Sequence, residues 1–202
     1  MTGNAAKPRK RTREECGRYW LTEPEVDKLM QAAAKLGRHG QRDAAMVLIA
    51  YRHGLRVSEL VDLTWEDVDL HAKTIYIRRR KNSESGEHTM QRDEVAALRK
   101  LGPGSEGHVF TSESGEPMTT SGFFKIVARA GKAAKLGLPI HPHMLRHGCG
   151  YYLANLDPPL SELVIQRWMG HRNIQHTLEY TKLSAHRFRM ADPWARRKGG
   201  AR

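Results

Sequence analysis

Ile140-His-Pro-His-Met-Leu-Arg-His147, with Gly170-His-Arg-Asn173 and Tyr180 downstream, is the stretch on which the reading of this chain turns. His143 and Arg146 lie one helical turn apart, so a helix presents both from one face while Met144 and Leu145 turn toward a core. Upstream, Gly54-Leu-Arg-Val-Ser-Glu-Leu60 sets Arg56 on a tight glycine corner, with Glu59 one turn on and placed to orient it. Two arginines, two histidines and a tyrosine suffice to break a phosphodiester without a metal. The arginines clamp the phosphate and neutralise its charge, the tyrosine attacks, and the histidines move or share protons. Of the six tyrosines, Tyr180 fits the nucleophile best. It follows Glu179 and precedes Thr-Lys, which predicts an exposed helix end, whereas Tyr151 and Tyr152 beside Leu153 read as packed.

His147 falls at i+4 from His143 and would make a metal pair, but the glutamate of such a helix is missing and no third ligand has suitable spacing. No metal or cofactor is therefore expected. Cys16 and Cys149 match no metal or redox spacing and read as reduced thiols.

Outward from that stretch, the chain of 202 residues is long enough for one well-buried domain. Thr22-x-x-Glu25, with Pro24 in the first turn, opens a helix to about Leu36, and a second runs from about Gln41 to Arg52. Val57–Leu63 is a short helix. Alternation predicts a strand over Thr74–Arg78, a turn at Asn82-Ser-Glu-Ser-Gly86 and a return strand over Glu87–Gln91, which puts Lys81 at a hairpin tip. Val109-Phe110 is read as the strand completing a three-stranded sheet. Helices follow over Asp93–Leu101, Ser121–Lys135 (Phe124, Val127 and Ala128 inward), His143–Asn155, Leu160–Met169, Ile174–Tyr180 and Ser184–Met190. The fold class expected is α+β, mainly α, with a small three-stranded antiparallel sheet.

Net charge is +12, and most of it sits at the ends. Lys7, Arg9, Lys10, Arg11 and Arg13 occur without an acid. Arg187, Arg189, Arg196, Arg197, Lys198 and Arg202 face only Asp192. Basic ends on a near-neutral body predict arms that grip a polyanion. The run Arg78-Arg-Arg-Lys81 reads either as a solvated basic strand or as part of that grip. Its three arginines are cations of the kind that lower a lysine pKa, leaving Lys81 able to donate a proton to a leaving oxygen. No apolar run reaches the length of a membrane span and no secretory leader opens the chain, so a cytoplasmic protein is expected.

Together these residues resemble the tyrosine recombinases, the phage-type integrase family, over about Trp20 to Phe188. The elements that carry the resemblance are Leu55-Arg-Val-Ser-Glu59, His143-x-x-Arg146, Gly170-His171 and Tyr180, in the family's order. His-Pro-His-Met-Leu-Arg-His and Gly-His-Arg-Asn-Ile-Gln-His-Thr look closest to the fimbrial phase-variation invertases, which are stand-alone catalytic domains. The resemblance implies that Arg56 and Arg146 bind the scissile phosphate and that His143 assists proton removal. It further implies that Lys81 protonates the leaving 5′-oxygen, His171 donates to a non-bridging oxygen, and Tyr180 forms a 3′-phosphotyrosyl bond, with Glu59 in support. Asp157-Pro-Pro159 departs from the family pattern as a small insertion ahead of His171.

The domain plan is a basic arm over residues 1–19, a catalytic domain over 20–183 and a C-terminal helix and basic tail over 184–202. Site-specific inversion, integration or excision of a DNA segment is the function implied, on double-stranded DNA. Four protomers on two sites are expected, with accessory DNA-bending proteins as further partners. The competing readings are a type IB-like topoisomerase and a DNA-binding regulator that kept the fold without the chemistry.

Overall fold

A computed structural model of the chain describes residues 18–79, 83–102, 106–158 and 160–182. Lys7, Arg9, Lys10, Arg11, Arg13, Arg80, Lys81 and the 184–190 helix with its basic tail therefore lie outside the described residues.

The centre of the fold is α2 (Gly40–Arg52), in which every residue from Ala45 to Tyr51 is buried. An apolar helix of this kind must be covered on all sides. It is covered by α1 (Glu23–Lys35), α3 (Val57–Val61), α4 (Arg92–Arg99), α5 (Thr120–Ala133) and α6 (His143–Ala154). The first of these starts at the capping box expected: Thr22 N–H and Oγ1 both donate to Glu25 Oε2, at 2.8 and 2.7 Å. Its inner stripe, Val26, Leu29 and Ala33, has helical spacing.

Gly54, at φ +56°, ends α2 in the left-handed region open to glycine. A Cβ there would lie 2.6 Å from Met169 Sδ, so the corner is also packed too tightly for a larger residue. This close approach brings the chain before Arg56 against the end of α7 (Glu162–Met169).

The sheet is three-stranded and antiparallel, in the order β1 (Val68–Asp69), β2 (Thr74–Ile77) and β3 (Gly86–Thr89). Val68 pairs with Ile75, and Ile75 with His88. Ile75 and Ile77 point into the core as alternation predicts. The third strand is β1, and Val109-Phe110 is not part of the sheet. Val109 N–H is taken by Leu63 O and Phe110 O accepts from Met118 N–H, both at 2.9 Å. With those groups committed to loops, Phe110 serves as a fully buried core side chain.

Helix α5 buries Phe123, Ile126, Val127 and Ala130, whereas Phe124 is 46% exposed and Ala128 also faces outward. Of the three residues expected inward, Val127 is buried and Phe124 and Ala128 are not. Adjacent phenylalanines at 123 and 124 satisfy the same periodicity, and the small pair Ala130-Gly131 decides between them. A Cβ on Gly131 would lie 2.5 Å from the Ile140 side chain, so that face must be the one turned inward. The last helix among the described residues, α8 (Gln175–Lys182), packs on α6 and α7.

Candidate active site

Arg56 opens α3, and the helix start positions it. Glu59, three residues on, accepts from Arg56 N–H at 2.8 Å and from Arg56 Nη1 at 2.7 Å. The arginine side chain is 38% exposed and its Nη1 also reaches Ser83 Oγ at 3.4 Å. It borders an open groove of about 840 Å³ that His171, Arg172, Asn173 and His176 also line.

Arg146 projects from the second turn of α6 and is 3% exposed, more deeply set than a residue facing a groove. Its Nη1 donates to Gly54 O and its Nη2 to Met169 O, the latter at 2.7 Å. One guanidinium thus ties the Arg56 corner to the end of α7. Burial lowers its pKa, as do the like charges of Arg79 and Arg56, to about 10. That value keeps it charged at neutral pH. A guanidinium has five N–H donors, so those two bonds leave donors for an incoming oxyanion.

Arg79 does not reach outward to a polyanion. Its side chain is 1% exposed and pairs with Glu59 Oε2 at 2.6 Å. It also donates to the carbonyls of His53 (3.1 Å), Gly54 (3.4 Å) and Trp168 (2.7 Å). A long side chain two residues past a strand end can fold back into the core when a carboxylate and three carbonyls await it. Gly170, at φ +61°, makes room for it: a Cβ there would lie 2.7 Å from Arg79 Nε. Arg78 is exposed but is held by Asp67 at 2.6 Å.

His171 follows Gly170. Its Nδ1 is 3.0 Å from Oγ1 of Thr177, itself fully buried on α8. Burial, then the charge of Arg146, lowers its pKa to about 3, so the ring is neutral at physiological pH. Tyr180 is 3% exposed, contrary to the exposed helix end expected from its charged neighbours. Its ring lies against α6, where a Cβ on Gly150 would be 2.3 Å from it, and it stacks on His171 with centroids 6.0 Å apart. Burial raises the phenol pKa, and the nearby Arg146 charge only partly offsets that. Tyr180 Oη is 3.1 Å from His147 Nδ1. His143 is exposed, and its ring meets that of His147 edge-on at 4.4 Å. Of the two tyrosines read as packed, Tyr151 stacks on Trp20 at 4.7 Å, but Tyr152 is 40% exposed.

The phage integrase family matches residues 19–187 of this sequence. The chain belongs to that family. Type 1 fimbriae regulatory protein FimB of Escherichia coli K12 is 41% identical over 92% of this chain and 94% of its own length. FimE of the same strain is 40% identical over 89% and 92%. The likeness to the fimbrial branch read from the His-Pro-His-Met-Leu-Arg-His run is thus present along nearly the whole sequence. Tyrosine recombinase XerD of Pseudomonas putida is 32% identical over 84% of this chain and 59% of its own length. Among solved structures, XerA recombinase superposes with a TM-score of 0.71 at 26% identity, covering 96% of this chain and 68% of that one.

In this member of the family, Arg56, Glu59, Arg146, His171 and Tyr180 converge around the ends of α2, α6 and α7. Among the described residues no group of three His, Cys, Asp or Glu side chains could hold a metal ion, and no helix is long and apolar enough to cross a membrane. Two site features escaped the sequence reading. Arg79 looked like one more basic strand residue, and its only sequence signal was a glycine (Gly170) far along the chain. His147 was weighed as a metal ligand and is instead a neighbour of the tyrosine.

One buried carboxylate serves two of these arginines. Burial alone would raise the Glu59 pKa, but the Arg79 charge, the hydrogen bonds from Arg56 and the charge of Arg146 together bring it below the usual value. Glu59→Gln is expected to lower stability by about 3–5 kcal/mol near neutral pH, because Arg79 is then a buried cation with no counter-charge. A carboxylate with a depressed folded pKa stabilises above its unfolded pKa of about 4.3, and that stability is lost as pH falls through the lower folded value. The wild-type advantage over Glu59→Gln in urea unfolding should therefore fade on acidification below about pH 4.

Proposed function

We propose that this chain is a site-specific recombinase of double-stranded DNA that cuts and rejoins strands through a 3′-phosphotyrosyl bond at Tyr180. One observation carries the reading. Arg56 and Arg79 share the single carboxylate of Glu59 with the Arg146 charge nearby, and burial, then the like charge of neighbouring arginines, lowers the pKa of both Arg79 and Arg146. Such a site is short of negative charge, and a phosphodiester supplies it.

In this reading Arg56, half-exposed on the groove, and Arg146, fixed behind it, hold the non-bridging oxygens of the scissile phosphate. Thr177 Oγ1–H donates to His171 Nδ1, which leaves the neutral ring with Nε2–H to donate to the same oxygens. Tyr180 attacks phosphorus, and Lys81 protonates the 5′-oxygen as it leaves. The phosphotyrosine conserves the energy of the broken bond, so resealing to another strand consumes no nucleotide. Each protomer offers one Tyr180, and exchange between two duplexes cuts four strands, hence four protomers on two sites. The basic ends (Lys7, Arg9, Lys10, Arg11 and Arg13, and the tail after residue 183) supply sequence-independent grip. Relatives named for control of type 1 fimbriae favour inversion of a DNA segment over integration or excision.

The test is a set of nicked suicide duplexes tiled across the DNA flanking the gene. Incubation should give a detergent-resistant adduct at one segment, with the nucleotide on the tryptic peptide that contains Tyr180. Specific binding with no adduct would replace this reading with that of a DNA-binding regulator.

A further inference from the structure

The site as described leaves open where the proton of Tyr180 goes. Burial raises the phenol pKa, so the hydroxyl does not ionise unaided and the attack requires an acceptor. Four bases lie in the neighbourhood. Glu59 is committed to two arginines. His171 has its Nδ1 at Thr177, and burial, then the charges of Arg146, Arg56 and Arg79, opposes its protonation, which makes it a poor base. His143 is exposed and meets the His147 ring edge-on. Among the described residues only His147 has a ring nitrogen within hydrogen-bond reach of the phenol, at 3.1 Å.

The local packing fixes that contact from both sides. Tyr19 meets the His147 ring edge-on at 4.9 Å, and the tyrosine ring is seated on Gly150, one helical turn further along α6. A side chain at position 150 would displace the phenol from the histidine.

We propose that His147 is a catalytic residue, the general base that takes the phenolic proton of Tyr180. This deepens the recombinase reading and rests on it. With Nε2 carrying the ring hydrogen, Nδ1 accepts a hydrogen bond from Tyr180 Oη–H. As Oη bonds to phosphorus, the proton passes to Nδ1 and His147 becomes an imidazolium. The P–O5′ bond breaks, and the 5′-oxygen takes its proton from a separate acid. On resealing, the 5′-hydroxyl gives its proton back to the conjugate base of that acid as it attacks phosphorus, the Oη–P bond breaks and His147 returns its proton to the phenolate. No electron donor or acceptor is involved.

The experiment is single-turnover adduct formation on the nicked suicide duplexes, with duplex binding and thermal unfolding measured in parallel. His147→Asn keeps an oxygen near the Nδ1 position, so it can still accept from the phenol, but it cannot hold the proton. The expected result is a fall in cleavage rate on the order of 10²-fold or more with duplex affinity and unfolding unchanged. His147→Ala should fall similarly and regain rate when imidazole is added, while Tyr180→Phe stays inert with imidazole. A His147→Asn rate close to wild type would show that the histidine only orients the phenol and would overturn the proposal. Loss in both variants without imidazole rescue would assign His147 to packing and overturn it as well. A wild-type protein that gives no adduct would instead sink the recombinase reading, so the two failures are distinct.

Discussion

Tyr180→Phe gives no covalent DNA adduct under any condition in which the wild type does, yet binds the same duplex and unfolds at nearly the same temperature. The three parts of that result have separate causes. Phenylalanine has no oxygen to bond to phosphorus, and the other tyrosines lie elsewhere: Tyr51 is buried among core residues and Tyr152 is turned outward. The ring itself is retained, and it is the ring that fills the space over Gly150 and stacks on His171. Folding loses one hydrogen bond, that to His147 Nδ1. A bond of this kind contributes about 1 kcal/mol. In a domain of this size that moves the unfolding midpoint by about 3 °C. Gel detection of adducts, duplex titration and a thermal scan check the three parts independently. An adduct of wild-type yield from Tyr180→Phe would place the nucleophile on another residue.

How much of this was legible in the sequence depends on whether a residue's environment is local. The capping box at Thr22 and Glu25, the corner at Gly54 and the pairing of Arg56 with Glu59 join residues three or fewer apart, and each is found as read. The alternation of Ile75 and Ile77 fixed the sheet face in the same way. Failures occurred where a partner comes from far along the chain. Tyr180 has polar neighbours in sequence, but its surroundings are Gly150, His147 and His171, brought by α6 and the end of α7. Arg79 sits in a basic run, but its partners are Glu59 and the carbonyls of residues 53, 54 and 168. In α5 the period was right and the phase wrong at Phe124 and Ala128, because phase is set by what lies opposite, here Ile140 against Gly131. The family motif singled out Arg146 and Tyr180 without revealing that both are buried. Burial, in turn, lowers the pKa of one and raises that of the other.

Arg146→Ala is expected to slow strand cleavage on the order of 10²–10³-fold, the effect of removing one donor set from a developing oxyanion. It should also destabilise the fold, since the carbonyls of Gly54 and Met169 lose their bonds to this guanidinium. A buried acceptor left without its donor costs about 1–3 kcal/mol. A slow variant could thus be merely loosened, and Arg146→Lys separates the two effects. Lysine restores a cation in the same place, but its single ammonium cannot bridge the two carbonyls and also present a flat pair of donors to phosphate. Lysine should therefore recover part of the urea midpoint and little of the rate. A second discriminator removes the charge from the substrate. With a methylphosphonate at the scissile position there is no anionic oxygen pair to neutralise, and the deficit of Arg146→Ala relative to wild type should shrink. If Arg146 only held the Gly54 corner against α7, the deficit would be the same on both substrates. The buried setting favours the charge-dependent outcome: Arg79 and Arg56 already repel this guanidinium, and an anion bound between them is the one change that turns that repulsion into attraction.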